Sequence, residues 1–135
     1  MPYQLVHATG STIYFVFLIL FLWMSRVPRT NPGAGWWALG MLFALLARLV
    51  FLFLLPQHEA SLVITVYWGL NVLEKLCLVA GLVRFFGVAV RLPWFWGATA
   101  VVEVWVLVSW LAGVAPLARG LGVAAFNIAM LCYVA

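Results

Sequence analysis

The sequence predicts an all-α fold, a polytopic membrane bundle of five transmembrane helices, and three observations carry that prediction. Of 135 residues, 68% are hydrophobic and only 7% are charged, whereas about a quarter of a soluble domain is charged. The apolar residues fall into runs close to the ~20 residues that one bilayer crossing requires. Pro2, Pro28, Pro32, Pro56, Pro93 and Pro116 all lie between those runs, as expected where no water can bond to a broken backbone ladder. Together these features exclude a soluble enzyme, a nucleic-acid-binding protein and a secreted disulfide scaffold, each of which needs a polar surface. The lipid bilayer is the expected partner.

The first helix is expected over about residues 5–25. No Lys or Arg precedes it, and Arg26 and Arg29 follow it at once, the reverse of a secretory signal peptide. Arg26-Val27-Pro28-Arg29-Thr30-Asn31-Pro32-Gly33 then reads as a tight turn. The second helix covers about 34–55 and is stopped by Pro56-Gln57-His58-Glu59, the third about 60–83 and the fourth about 94–113. The last run, about 119–135, supplies roughly 25 Å of helix against a hydrocarbon thickness of about 30 Å. It stops in mid-helix, so residues 1–135 are expected to form a single transmembrane domain, with a cytoplasmic output domain after residue 135.

Basic residues in short loops give the orientation. Arg26, Arg29, Arg84 and Arg91 share one side, against Arg119 with Glu59 on the other. The arginine-rich side is therefore expected in the cytoplasm, with the N-terminus outside and the C-terminus cytoplasmic. Trp36, Trp37, Trp94 and Trp96 sit where the second and fourth helices leave that side, and read as interfacial anchors.

Arg48, Glu74, Lys75 and Glu103 fall deep inside the runs, and their formal charges cancel. Each alone would cost several kcal/mol at the bilayer centre, so they are expected to face inward and pair. From the helix midpoints, Arg48 lies roughly 4 to 5 Å toward the outside and Glu74 about 3 Å toward the inside. That favours Arg48 with Glu74 and Lys75 with Glu103, the exchanged partners being the alternative. On the third helix Tyr67, Asn71, Glu74, Leu78 and Gly81 share one face, with Lys75 about 40° from Asn71. Trp37, Met41, Ala44 and Arg48 align on the second, and Gly120, Ala124, Asn127 and Leu131 on the fifth. The expected result is a polar seam of Arg48, Asn71, Glu74, Lys75, Glu103 and Asn127, which either glues helices together or receives a small amphiphilic ligand.

His7 and His58 both fall toward the outer side, but their spacing specifies no haem or metal site. Cys77 and Cys132 lie in apolar runs without CxxC spacing and read as buried small hydrophobes. No GxSxG, HExxH, P-loop or GxGxxG pattern occurs, so no catalytic residue, metal or cofactor is expected within the segment.

Three stretches carry a resemblance: Asn31-Pro32-Gly33-Ala34-Gly35-Trp36-Trp37-Ala38-Leu39-Gly40, then Asn71-Val72-Leu73, then Gly81-Leu82-Val83-Arg84-Phe85-Phe86-Gly87. Over about residues 20–90 the sequence resembles the amino-terminal membrane region of bacterial GGDEF diguanylate cyclases. It departs from the whole family in lacking a GG(D/E)EF segment, and in its Glu74-Lys75 pair. The resemblance implies a sensory or anchoring module in the bacterial inner membrane. Such a module would act as a homo-oligomer on an attached cyclase, which would use GTP and Mg²⁺ to make cyclic di-GMP. Two other functions fit the composition: an accessory or structural subunit of a membrane complex, and a small proton-coupled transporter.

Overall fold

The computed structural model describes residues 2–27, 32–87 and 92–134. Five helices follow in order: α1 (Pro2–Arg26), α2 (Ala34–Leu54), α3 (Ala60–Phe86), α4 (Leu92–Leu111) and α5 (Pro116–Val134). Among the described residues, α1 to α4 are long and apolar enough to cross a membrane, while the apolar part of α5, Pro116–Cys132, is shorter. Arg29 and Arg91, on which half of the orientation count rests, lie outside the described residues.

Proline and glycine set the boundaries. Pro56 follows α2 in a turn where the Gln57 and His58 amides both donate to the Leu54 carbonyl. Gly87 ends α3 in the left-handed conformation at φ 63°, its amide donating to Val83, a geometry that glycine adopts without a Cβ penalty. Pro2, Pro93 and Pro116 were expected outside the helices, but all three belong to first turns. Their missing N–H costs nothing there, because first-turn amides have no intrahelical partner. As a result α5 starts about one turn before the expected residue 119, which moves Arg119 from the end of the helix to one turn inside it.

Consecutive helices run antiparallel. His7 meets Phe51 and Phe21 meets Trp37 across α1 and α2, while Phe51 meets Tyr67 and Trp37 meets Phe85 across α2 and α3. α1 packs on α2 alone, α2 lies between α1 and α3, and α3 touches α2, α4 and α5. The third helix is therefore the hub. One side of it contributes Val72, Leu76, Val79 and Val83 to a core shared with Phe95 and Val106 of α4 and with Val123, Phe126 and Met130 of α5. The inward face of α5 is thus Arg119, Val123, Phe126 and Met130, whereas Ala124 and Leu131 of the expected face are exposed. Cys77 is buried as expected, but Cys132 is exposed.

The α2–α3 contact depends on small residues. Ala34, Ala38, Gly40, Ala44 and Ala47 are the buried residues of α2. Helices in lipid gain nothing from the hydrophobic effect when they associate, so close backbone approach and dispersion must hold them together. Trp37 fills the crevice that α1, α2 and α3 share. Its ring lies where a Cβ on Gly81 would stand, and its indole N–H donates to the Leu78 carbonyl at 3.3 Å. Outward faces are apolar: Val101 is 70% and Leu117 is 80% exposed. Such surfaces fit a bundle solvated by hydrocarbon.

The Gly81→Leu variant is expected to destabilise the detergent-solubilised bundle by about 1–3 kcal/mol through overpacking. Trp37→Ala in the same chain is expected to recover part of that loss. Thermal melting of both variants checks the wedge, and additive losses would contradict it.

Candidate functional site

The polar residues expected in one seam occupy three places, because α3 presents its faces to different neighbours. Arg48 turns toward α1. Its Nη1 lies 3.2 Å from His7 Nδ1, and its guanidinium sits 5.0 Å from the centre of the Tyr14 ring. Gly10, between those two residues, leaves room for the guanidinium. No carboxylate lies within ion-pair distance of Arg48 among the described residues, so the expected Arg48–Glu74 pair does not form. The alignment of Arg48 with Trp37 was sound, but the crevice they share has α1 as its other wall.

The second cluster joins α3 to α5. Lys75 Nζ lies 3.0 Å from Glu74 Oε1, Asn71 donates to Glu74 Oε2 at 3.4 Å, and Asn127 Nδ2 donates to Asn71 Oδ1 at 3.5 Å. The Glu74 side chain is 5% exposed and that of Lys75 26%. Lys75 thus takes its sequence neighbour rather than Glu103, one half of the exchanged pairing. Adjacent helical residues do not normally face each other, and here the long lysine side chain folds back to reach.

The third place lies between α3, α4 and α5 and contains a residue that sequence reasoning counted among the loop charges. Arg119 is 1% exposed. Nη1 donates to Thr65 Oγ1 at 2.7 Å and Nη2 to Ser61 Oγ at 2.9 Å, while the guanidinium lies 5.5 Å from the centre of the Trp68 ring. No carboxylate lies within ion-pair distance of it, and its Nε has no hydrogen-bond partner, among the described residues. The Ser61 and Thr65 hydroxyls, one turn apart on the first turns of α3, were the available signal: two acceptors in an apolar helix invite a donor. Thr65 also hydrogen-bonds the Ser61 carbonyl at 2.7 Å, which fixes its oxygen toward Arg119.

One turn further along α3, Glu103 of α4 lies against Gly69. A Cβ on Gly69 would come within 3.0 Å of Glu103 Oε2, so glycine is what admits the carboxyl to the helix surface. Glu103 Oε1 is buried with no hydrogen-bond partner among the described residues. A groove of about 370 Å³ opens beside it along α3 and α4. The Arg119 guanidinium and the Glu103 carboxyl thus lie against successive turns of α3, about 6 Å apart along its axis, and form no ion pair.

The four tryptophans divide. Trp36 meets Trp96 edge-on with ring centres 6.0 Å apart, and Arg84 lies 5.2 Å from the centre of the Trp36 ring. Trp94 is exposed at the same end of the bundle, while Trp37 is turned into the helix packing. His58 is exposed and far along the sequence from His7, and no group of three or more His, Cys, Asp or Glu able to hold a metal occurs among the described residues. No family model, curated protein or solved structure matches the chain.

A double-mutant cycle separates the two pairings of Glu74. Coupling of about 0.5–3 kcal/mol is expected between Glu74→Ala and Lys75→Ala, and additivity within about 0.5 kcal/mol between Glu74→Ala and Arg48→Ala. Thermal melting in detergent measures both, and the reverse order would restore the Arg48–Glu74 pair. Arg119→Met is expected to cost less than Thr65→Val. The first removes charge and need together, whereas the second leaves a buried cation short of an acceptor.

Proposed function

We propose that this chain is the membrane-embedded sensory or anchoring module of a bacterial diguanylate cyclase. In this reading the helices lie in the inner membrane with the N-terminus outside, and the arginine-bearing end, with Trp36, Trp94 and Trp96, faces the cytoplasm. A cyclase domain joined beyond α5 condenses two GTP into cyclic di-GMP with Mg²⁺. None of that chemistry resides in these 135 residues. The module assembles as a homo-oligomer and acts by biasing how its helices present two cyclase domains to each other. A ligand contributes only through a difference in affinity between two such arrangements.

One observation carries the reading. Residues from the first and third stretches that resemble the cyclase membrane region, Trp37 with Gly81 and Phe85, meet in one contact. Trp37 reaches Leu78 and Gly81, Gly40 faces Cys77 and the Glu74 backbone, and Trp37 also packs on Phe85. A shared pattern spread over two helices is what a common packing interface requires, since both sides of a close helix contact are constrained at once. The Arg26 and Arg84 ends of α1 and α3 lie on the same side of the bundle, which supports the proposed orientation.

The parent gene read beyond Ala135 is expected to encode a GG(D/E)EF domain. A stop codon within a few residues would refute the cyclase and leave an accessory membrane subunit in its place. With the full-length protein in cells, Gly81→Leu is expected to change cyclic di-GMP at least about five-fold, the lower range of allosteric coupling, at unchanged protein level. Unaltered cyclic di-GMP with a destabilised bundle would mean that the α2–α3 contact only anchors.

A further inference from the structure

We infer that the groove between α3 and α4 is a binding site for a neutral lipophilic molecule bearing a hydroxyl group, such as a long-chain alcohol, phenol or quinol, with Glu103 as the residue that recognises the hydroxyl. The groove is lined by Leu62, Val66, Gly69, Glu103, Leu107 and Trp110 and has a volume of about 370 Å³, within the ~300–1,000 Å³ of small-molecule sites. Thr65 also lines it, but its hydroxyl is taken by Arg119 and the Ser61 carbonyl, so Glu103 supplies the unengaged polar group of an otherwise apolar groove. The polar point is deep: Glu103 stands near the middle of α4, about 2 Å from the midpoint of Leu92–Leu111. From there the walls run through Val66 and Leu107 to Leu62 and Trp110, toward the end where α4 turns into α5.

The chemistry of the occupant follows from the carboxyl. Glu103 Oε2 is held against Gly69, while Oε1 is buried without a hydrogen-bond partner. The cations within the helix packing are engaged elsewhere: Arg48 with His7 and Tyr14, Lys75 with Glu74, and Arg119 with Ser61 and Thr65. A carboxyl without a protein partner in apolar surroundings is costly, and a hydroxyl that donates from the groove to Oε2, the oxygen not enclosed by the packing, lowers that cost. Charged headgroups are held at the bilayer surface by their own hydration, whereas a neutral hydroxyl on an apolar body reaches mid-membrane. Binding in this groove requires no output domain and holds whether or not a cyclase follows α5.

The test uses the full chain in phosphatidylcholine nanodiscs and a dodecanol analogue carrying a diazirine in its chain, with adducts located by mass spectrometry. Adducts are expected on the α3 segment around Leu62–Gly69 and the α4 segment around Glu103–Trp110. Unmodified dodecanol is expected to compete at about ten-fold lower concentration than dodecane, the upper range of what one ordinary hydrogen bond contributes. Glu103→Gln keeps hydrogen-bonding atoms in place and is expected to retain that preference, whereas Glu103→Leu abolishes it. Equal competition by dodecane in the unaltered chain would show an ordinary lipid-facing groove and overturn the proposal. So would adducts confined to other helices, or a preference for the alcohol that survives Glu103→Leu. Because the dodecane comparison is made on the unaltered chain, a variant that fails to fold still leaves the outcome decided.

Discussion

Hydrocarbon offers no hydrogen bonds, so every polar group on a membrane helix must find its partner in the protein. In this chain that constraint falls most heavily on α3, which carries Ser61, Thr65, Asn71, Glu74 and Lys75 along its length. A helix so furnished is stable in lipid only if it is surrounded. The bundle surrounds it: α2 covers one face with alanine and glycine, and α4 and α5 cover the other with a valine- and phenylalanine-rich core. The opposite case is α1, which packs on α2 alone and whose Ser11, Thr12 and Ser25 hydroxyls donate to its own backbone carbonyls. His7, Gly10, Tyr14, Leu18, Phe21 and Met24 form the half-buried stripe, and much of the remaining surface faces outward.

The polar groups are served unequally. Lys75, Glu74, Asn71 and Asn127 make a chain of contacts from α3 to α5 that holds a buried carboxylate in place. A buried ion pair of this kind contributes little net stability, because desolvation offsets attraction, but it penalises any packing that separates its members. Arg119 and Glu103 are different. They lie about one turn of α3 apart, yet neither has an ion-pair partner among the described residues. Arg119 is held by two hydroxyls and an indole face, whereas Glu103 has only the room that Gly69 leaves for it. Groups left in that condition inside a membrane bundle are where a bound molecule or a rearrangement gains most.

Much of the fold was legible because prolines, glycines and apolar runs report the same physics that positions helices. The five elements stand where the runs stand, and the inward position of Glu74 follows from its spacing on α3. Partner choice was not legible. Periodicity aligned Arg48 with Trp37 correctly, but only the placement of α1 across that crevice, with Gly10 making room, decides that His7 and Tyr14 rather than Glu74 receive the guanidinium. Arg119 was misread because Pro116 was taken as a break. At the first turn of a helix proline is a start signal, and moving that boundary converts a charge at the helix end into the most deeply buried arginine of the described residues.

In this arrangement α3 occupies the middle of the bundle and α1 lies at its edge. That placement is tested most directly by labelling the chain from within a bilayer with a phospholipid bearing a carbene precursor on its acyl chain, and mapping the adducts residue by residue. Val72 to Val83 should be labelled least and the outward positions Val16, Ile19 and Val101 most. Labelling of Val72, Leu76 and Val79 as heavy as that of α1 would contradict the arrangement.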